Sequence, residues 1–450
     1  IGLGLVSVAT VSATTGALLA LSLSNPSLSQ RELSPEEAAQ FNQNGEAPVV
    51  EGGLQFPTLT RPVNILVLGV KVITSDVDES LSEKYGYHAL VNSFEGLSDT
   101  MLLLRFDPRT KQVTMLSIPR DTRAWVDGIG TTKINAANSY GGPALSAKAT
   151  SELLGGIPID RYVRINVQGV EKLIDVLGGI TVHVPQDMKY QDDSQHLYIN
   201  LKQGRQHLNG EQALQFLRFR YDAYGDIGRV QRQQMAIRAV KEQALNPGTL
   251  LKLPQILSTI SDHIDTNLSV EEIAALAGFS SQTSRDRVQM LMLPGEFGNL
   301  SQYGGVSYWV PYQRRISQLM AEHFDFGEVD FEARRSALRS RITIQDSTED
   351  PEAVQRLIDQ LREAGFRRIQ RTQKWSEPLT TSRIVAQNGD AMAAKAVQST
   401  MGVGEVRVDS TGYLESDITI QLGLDWVLQP EPPALGDADE SSLNSDTVNF

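Results

Sequence analysis

Hydrophobic and polar positions follow two periods along this chain, and each change of period marks a predicted strand or helix. Val63–Val70 is apolar at nearly every position, which is typical of a strand buried on both faces of a sheet. Thr100–Phe106 and Gln112–Ile118 flank the turn residues Asp107–Thr110, so they predict a hairpin. The spacing over Pro143–Leu154 is helical. These residues therefore predict a sheet with a helix packed on it.

The same alternation of strands and helices continues to about residue 246. The predicted strands are Tyr162–Val167 and Ile180–Val184, and the predicted helices are Gly169–Leu177, Glu211–Phe216 and Arg229–Leu245, with Arg218–Gly228 extended or looped. This order predicts an α/β fold, a three-layer α/β/α domain with a mixed central sheet over residues 63–246. Apolar runs such as Tyr162–Val167 and Val170–Leu177 fit either plain core or the wall of a lipid channel.

Two further regions follow this domain. Residues 247–340 predict a helix-rich extension, in which Leu268–Arg287 has the spacing of a DNA-binding helix-turn-helix, although an ordinary corner between two helices has the same spacing. Residues 341–427 predict a smaller C-terminal α/β domain. Its predicted strands are Ile342–Gln345, Ile369–Arg371 and Arg383–Ala386, and its predicted helices are Asp350–Ala364 and Gly389–Met401.

The two ends of the chain differ from its middle. Residues 1–24 contain no charged side chain, and the first ionisable side chain is Arg31. As a helix of about 21 residues, Leu3–Leu23 would span roughly 32 Å, against a hydrocarbon core of about 30 Å. We therefore predict a transmembrane anchor over residues 1–24; a cleaved signal peptide is the alternative. Residues 25–62 predict a flexible spacer, and residues 428–450 an acidic disordered tail.

Composition removes several classes of function. A formal net charge of −13 and a pI near 5.1 argue against a general nucleic-acid binder. The chain has no cysteine, which excludes thiol catalysis, disulfides and zinc held by cysteine. Its six histidines are scattered and show no paired spacing, so a metal site built from histidine is not expected. A hard cation held by oxygen ligands stays open.

One basic segment stands out against this acidic background. Four arginines fall within fifteen residues, at Arg218, Arg220, Arg229 and Arg232, and Asp222 and Asp226 are the only acids among them. Guanidinium groups that converge on one point can hold a phosphate or pyrophosphate through paired hydrogen bonds. The alternative is a surface cluster of structural ion pairs. The segment indicates a polyphosphate ligand without identifying it.

Several segments of residues 64–244 resemble the LytR-CpsA-Psr family, extracytoplasmic enzymes that move glycopolymers from a polyprenyl-pyrophosphate lipid to the cell wall. The resemblance is carried by the arginine segment and by Ser98–Thr100, Ser117–Thr122 and Lys133–Gly142. Residues 341–427 resemble the domain that often ends members of this family, although Asp346 and Ser347 stand where Asn-Gly is usual. The resemblance implies a single-pass membrane protein whose catalytic domain lies outside the cytoplasm.

The candidate site residues follow from the chemistry of a pyrophosphate. Arginines would clamp its oxygens and stabilise the charge that develops as it is cleaved. The candidate catalytic residues are Arg120, Arg218, Arg220 and Asp226, the candidate substrate-binding residues are Asp121, Lys133, Arg229, Arg232 and Gln233, and the candidate metal ligand is Asp99. For Asp121 and Asp226, structural ion pairing is the alternative; the resemblance implies that Asp226 orients the arginines.

The predicted cofactor is Mg²⁺, held by Asp99 and bridging phosphate oxygens. The family usually has a second metal-binding aspartate directly after the first strand, where this chain has Lys71. Either Asp76 or Asp78, in the insertion that follows, supplies the missing ligand, or Lys71 itself takes the place of the cation.

These residues leave several functions open. The first is a phosphotransferase that moves a glycopolymer from a polyprenyl-pyrophosphate donor to a peptidoglycan hydroxyl. The second is a pyrophosphatase with water as the acceptor, and the third is a lipid-pyrophosphate binder without catalysis. A membrane-linked transcription regulator is the remote fourth, because nothing else indicates a nucleic-acid partner.

Overall fold

The computed structural model of this chain describes residues 28, 31–41, 48–50, 57–71, 94–192, 197–219, 225–244, 248–249, 252–284, 287–327, 338–372, 374–375 and 377–429. The predicted anchor over residues 1–24 lies outside these ranges, as do residues 430–450 of the predicted acidic tail. Within the described ranges, no helix is long and apolar enough to cross a membrane.

The strands in chain order are β1 (Val49–Val50), β2 (Thr58–Leu59), β3 (Val63–Lys71), β4 (Leu97–Asp107), β5 (Gln112–Ile118), β6 (Arg123–Val126), β7 (Gly130–Lys133), β8 (Arg161–Asn166), β9 (Ile180–Val184), β10 (Met188–Asp192), β11 (Leu197–Leu201), β12 (Gly204–Leu208), β13 (Ile264–Thr266), β14 (Val288–Met292), β15 (Gly295–Phe297), β16 (Trp309–Pro311), β17 (Ile342–Asp346), β18 (Ile369–Arg371), β19 (Arg383–Ala386), β20 (Glu405–Arg407) and β21 (Ile418–Leu422). The helices are α1 (Pro35–Ala39), α2 (Ala136–Leu153), α3 (Val167–Val176), α4 (Gly210–Arg218), α5 (Gly225–Ala244), α6 (Leu253–Ile260), α7 (Val270–Gln282), α8 (Gln313–His323), α9 (Pro351–Glu363), α10 (Ala391–Met401) and α11 (Leu424–Val427).

A six-stranded mixed sheet forms the centre of the first domain, with the strand order β13-β8-β3-β4-β5-β14. β3 runs parallel to β8 and antiparallel to β4, and β4 and β5 form the predicted hairpin. Side chains alternate between the two faces of β3. Leu66 and Leu68 pack with α2 and α8, whereas Val63 and Ile65 pack on the face covered by α7. Helices therefore cover both faces, and the predicted three-layer α/β/α fold is confirmed.

The first domain continues beyond the predicted boundary at residue 246. β13 pairs with β8 and β14 pairs with β5, so residues 247–340 supply both edge strands of the central sheet and are not a separate helix-rich extension. β13 is only three residues long, and the mostly apolar β14 cannot be distinguished from a helical segment by its periodicity. This is why the pattern of the sequence misses them.

Within the described residues, Leu268–Arg287 forms one helix and not the two that a helix-turn-helix or a corner between helices would need. α7 supplies its first helix, but over the described residues 283–284 and 287–292 the chain turns and enters β14 instead of forming a second helix. Glu272 of α7 is buried and accepts hydrogen bonds from Arg161 of β8 at 2.7 and 3.0 Å. The segment is therefore part of the layer that covers the central sheet.

The predicted flexible spacer over residues 25–62 is partly folded onto the first domain. Ser34 caps α1 in a capping box with Glu37. Phe41 is 3% exposed, and its ring lies 5.1 Å from that of Tyr162 in the core. β1 and β2 form a short antiparallel pair. The prediction fails because scattered apolar side chains of this polar segment, Leu28, Leu33, Phe41 and Leu59, pack against the domain.

The C-terminal domain has its own five-stranded sheet, with the strand order β18-β17-β21-β19-β20. The strands and helices predicted for residues 341–427 are confirmed, and β20, β21 and α11 are additional. The sheet packs against α9 and α10 around a separate apolar core. Leu414, in the loop before β21, inserts into the core of the first domain. The two domains are thus held together by packing as well as by polar contacts.

Candidate active site

Asp99 and Arg120 face each other across the edge of the central sheet. Asp99 lies near the start of β4, and Arg120 follows the end of β5. Met101 pairs with Ile118 in the antiparallel register of these strands, and continuing that register by two residues brings Asp99 opposite Arg120. The guanidinium of Arg120 forms an ion pair with the Asp99 carboxylate, and both side chains are partly exposed. Two predicted site residues are therefore in direct contact.

Asp121 is shared among three cations. Its Oδ1 lies 2.7 Å from Lys133 Nζ, and its Oδ2 lies 3.4 Å from Arg120 Nε and 3.5 Å from Arg229 Nη2. Asp121 is buried, and Arg229 is only 4% exposed. We call Asp99, Arg120, Asp121, Lys133 and Arg229 the open cluster, because its cations outnumber its carboxylates. A site with this surplus suits an anionic ligand.

α5 carries two of the predicted residues to this edge of the sheet. Arg229 and Gln233 are four residues apart and lie on one face of the helix. Gln233 Nε2 lies 3.4 Å from the backbone oxygen of Asp99. The adjacent Gln234 donates to Ser117 Oγ at 2.7 Å and accepts from Ser410 Oγ of the C-terminal domain at 2.6 Å. α5 is therefore joined to the end of β5 and to the second domain at once.

Arg232 lies apart from the other basic residues of the site. It is buried, and its guanidinium donates to the backbone oxygen of Phe219 and lies 5.6 Å from the centre of the Phe219 ring. These contacts join α5 to the residue that ends α4. Arg229 faces Asp121 and Arg232 faces Phe219, so the substrate-binding role of Arg232 stays a prediction.

The remaining predicted residues lie at or beyond the limits of the described chain. Arg218 is the last residue of α4 and not part of an extended segment. Arg220 lies outside the described residues, and for Asp226, in the first turn of α5, only the backbone is described. The alignment of Arg218 with Arg220 and the orienting role of Asp226 stay predictions.

An apolar cavity of about 390 Å³ opens beside the open cluster. Asp99, Arg218 and Gln233 line one part of it. The rest is lined mainly by aliphatic and aromatic side chains of the sheet and of α3 and α5: Val67, Leu102, Leu104, Phe106, Ile165, Val170, Leu173, Ile174, Ala236, Ile237 and Val240. We refer to it as the apolar cavity.

The walls of the apolar cavity follow from strand and helix periodicity. Leu102 and Leu104 of β4 face the cavity, whereas Met101 and Leu103 face the core on the other side of the sheet. On α5, the cavity side chains recur at helical spacing. The sequence could have indicated the α5 wall from this spacing. It could not indicate that the space between the walls is left unfilled.

The described residues give a divalent cation few ligands. In the described ranges, no three His, Asp or Glu side chains are grouped closely enough to hold a metal ion. Mg²⁺ often binds one or two carboxylates, with substrate phosphates and water completing its shell. Asp99 fits such an ion only together with ligands from a bound substrate. Lys71 ends β3 opposite Leu97, and only its backbone is described.

Two models of known protein families match this chain. The model of the LytR_cpsA_psr family matches residues 25–325. The chain belongs to the LytR-CpsA-Psr family. A second family model, described as LytR cell envelope-related transcriptional attenuator, matches residues 339–426, which is the C-terminal domain described above.

Curated members of the LytR-CpsA-Psr family resemble this chain over about half its length. Polyisoprenyl-teichoic acid–peptidoglycan teichoic acid transferase TagV of Bacillus subtilis is 34% identical over 52% of this chain and 61% of its own length. The TagU transferase of Oceanobacillus iheyensis is 31% identical over 58% of this chain and 74% of its own length. The crystal structure of B. subtilis TagV aligns with a TM-score of 0.48 and 30% identity, over 60% of this chain and 99% of that one.

Several of the predicted site residues lie together at this edge of the central sheet. The structure brings six predicted residues together: Asp99, Arg120, Asp121, Lys133, Arg229 and Gln233. The sequence analysis did not single out Ser117 and Gln234, whose hydrogen bond fixes α5 against the end of β5. A serine and a glutamine are common at exposed positions, so only their contact distinguishes them.

Proposed function

We propose that this LytR-CpsA-Psr protein transfers a glycopolymer from a polyprenyl-pyrophosphate donor to a hydroxyl of peptidoglycan. The observation that carries the proposal is the position of the open cluster beside the apolar cavity. A polyprenyl pyrophosphate has the same two parts, an anionic headgroup and a long apolar chain. The names of the TagV and TagU relatives, which are teichoic acid transferases, support the same substrate class.

The apolar cavity would receive the polyprenyl chain. Each buried methylene contributes about 0.8 kcal/mol, so a chain of this kind gains affinity in proportion to the length that enters. Arg218 and Gln233 lie among the lining residues, where they would meet the headgroup. This arrangement orients the pyrophosphate toward Arg120 and Arg229.

The reaction would be an in-line displacement at the phosphorus atom that carries the glycopolymer. The acceptor oxygen forms a bond to this phosphorus, the bond to the bridging oxygen breaks, and polyprenyl phosphate leaves with the electron pair; the hydroxyl proton passes to solvent. Negative charge grows on the bridging oxygen during this step. Arg120, Lys133 and Arg229 would stabilise that charge, and their contacts with Asp121 hold them in place beforehand.

A magnesium ion is part of the proposal through Asp99. Asp99 would hold the ion, and the ion would supply positive charge that neutralises the phosphates. Asp99→Ala should then lose most of the transfer activity and also lose the weak Mn²⁺ binding that electron paramagnetic resonance detects in the presence of inorganic pyrophosphate. An unchanged rate in EDTA would contradict the role of the metal and favour Lys71 as the replacement for the cation.

The test of function compares two acceptors. The protein is incubated with a labelled lipid-linked glycan, with and without purified cell wall. When wall is present, we expect the label to be transferred to it. When wall is left out, we expect no turnover of the donor. Release of a labelled glycan phosphate without wall would support a pyrophosphatase, which uses the same open cluster with water. Tight lipid binding with neither product would support a binder without catalysis. Lys148→Ala, which removes an exposed cation paired with Asp127, is the matched control.

We also propose that the catalytic domain lies outside the cytoplasm and is attached through the predicted anchor. Protease added to intact spheroplasts should digest the region after Gln30, while a cytoplasmic marker stays intact. Because residues 31–41 pack on the domain through α1 and Phe41, protease should cut them more slowly than an unfolded spacer. Protection of both proteins would contradict this location.

A further inference from the structure

A second cavity, of about 380 Å³, lies between the two domains. It is lined by β9 and β12 of the first domain, by the face of α5 opposite the apolar cavity, and by residues around Trp375 and Arg383 of the C-terminal domain. We call it the interdomain cavity. Met235, Arg238 and Glu242 of α5 line it, whereas Ala236, Ile237 and Val240 line the apolar cavity. One helix therefore separates two cavities of different character.

Three arginines contribute to the interdomain cavity. Arg238 lies 3.3 Å from Asp409, and Arg383 lies 3.6 Å from Glu377. Arg205 is exposed and makes no ion pair within the described ranges. Burial lowers the pKa of Arg383, and the neighbouring guanidinium of Arg407 lowers it further. Of these three guanidinium groups, Arg205 is therefore the one left for an anionic group to pair with.

Two ring nitrogens in the same cavity are shielded from solvent. His183 Nε2 and Trp375 Nε1 have no hydrogen-bond partner among the described residues. His183 pairs directly with Arg205 in the register of β9 and β12, so both side chains lie on one face of the hairpin. The alternate residues Val182 and Val184 face the core on the other side. Both nitrogens are closed off from the cavity as well as from bulk solvent, so the exposed Arg205 is the side chain on this face of the hairpin that a ligand would meet.

We propose that the interdomain cavity binds an anionic saccharide. Arg205 would bind its carboxylate or phosphate group, and the side chain of Trp375 would pack against a sugar ring. Glu242 and Glu377 line the cavity as well, and carboxylates accept hydrogen bonds from hydroxyl groups. A bare phosphate offers no such array of donors and would be repelled by these carboxylates. The volume is in the range of small-ligand sites.

This site is separate from the open cluster, which lies elsewhere along α5. The saccharide could belong to the glycan of the donor or to the glycan of the wall, because the two share hydroxyl and anionic groups. Its binding is measured without turnover. Arg120→Ala should therefore bind the saccharide as the wild-type protein does, even though its transfer activity is lost. The proposed function and this inference can fail separately.

The experiment is calorimetric titration of the full chain in detergent with three probes: a galacturonic acid trisaccharide, a neutral galactose trisaccharide and inorganic phosphate. We expect the acidic trisaccharide to bind at least about tenfold more tightly than either of the others. Arg205→Ala should weaken it at least about tenfold, as expected when a hydrogen bond to a charged group is lost. Trp375→Phe should weaken it less. Arg362→Ala, the same substitution at an exposed position of α9, should have no effect.

Equal binding of the neutral trisaccharide, tighter binding of phosphate, or normal binding by folded Arg205→Ala would overturn the proposal. Competition then identifies the source of the saccharide. Displacement of the acidic trisaccharide by glycopolymer released from the donor assigns the site to the donor, and displacement by wall fragments assigns it to the acceptor. Displacement by neither would overturn the proposal as well. Thermal unfolding of each variant shows whether it is folded.

Discussion

Two groups of arginine and aspartate in the first domain differ in how their charges are paired. Arg164 and Asp265 form a closed pair between β8 and β13, with Arg164 Nε 2.6 Å from Asp265 Oδ2. They are 3% and 0% exposed. Tyr162 donates to the other oxygen of Asp265 at 3.4 Å, and the Arg164 guanidinium lies 5.3 Å from the centre of the Phe94 ring. Each charge of the closed pair has its counter-charge inside the protein.

In the open cluster, one carboxylate is shared among several cations. Asp121 serves Arg120, Lys133 and Arg229 together, and Asp99 adds the only other carboxylate of the cluster. The closed pair holds an edge strand in place, and its charges have no ligand to bind. In the open cluster the surplus cations are held near one another at a cost in repulsion, which an anionic ligand removes. The difference shows how the same residue types make structure in one place and a site in another.

The comparison predicts the largest effect at the closed pair. Asp265→Ala leaves the Arg164 guanidinium buried without its counter-charge, so we expect the free energy of unfolding to fall by about 3–5 kcal/mol. Denaturant unfolding measures it. The double variant Arg164→Met/Asp265→Leu removes both charges and should recover most of the loss. A loss below about 1 kcal/mol in Asp265→Ala would mean that the pair is not closed.

Arg120→Ala and Arg218→Ala test the open cluster next. Each should reduce transfer at least about 10²-fold, because a contact that stabilises transition-state charge is lost. Lysine at either position should rescue poorly, since a point charge cannot reproduce the guanidinium fork. The free energy of unfolding should change little, in contrast to Asp265→Ala. Normal transfer by either alanine variant would remove that residue from the proposed clamp; the same assay applies to Arg220.

An anionic ligand should stabilise the open cluster directly. Inorganic pyrophosphate at about ten times its dissociation constant should stabilise the folded protein by about 1.4 kcal/mol, seen as a higher melting temperature. Arg120→Ala should lose this stabilisation, and Lys148→Ala should keep it. An equal rise in melting temperature with sodium sulfate at the same ionic strength would mean that the effect is not specific to pyrophosphate.

The smallest effect is expected at the uncharged link beside the open cluster. Gln234→Ala removes the hydrogen bonds to Ser117 and Ser410, so unfolding should become easier by about 1 kcal/mol. Transfer should fall severalfold because α5 is held less firmly. Gln282→Ala, which removes an exposed glutamine at the end of α7, is the control. A transfer rate equal to that of the control would contradict a positioning role for Gln234.

The sequence predicts the centre of the fold better than its edges. The long apolar runs of β3, β4 and β5 specify the central sheet, because only a buried strand tolerates them. Short edge strands such as β13 depend on a partner, and the folding of Phe41 onto Tyr162 depends on contact across the chain. Neither leaves a local signal. The candidate site shows the same difference. Its basic residues can be recognised in the sequence by their charge, whereas the space of the apolar cavity cannot.

α5 borders both cavities, and its Gln234 donates a hydrogen bond to Ser117 of the first domain and accepts one from Ser410 of the C-terminal domain. A shift of α5 that favours one ligand also changes the wall of the other cavity. Thermodynamic reciprocity then requires that occupancy of the C-terminal side change affinity on the lipid side by the same factor as the reverse. The C-terminal domain would act on the first domain through a coupling free energy and not through contact with the donor. Its removal would alter affinity for the lipid even where every residue of the open cluster is retained.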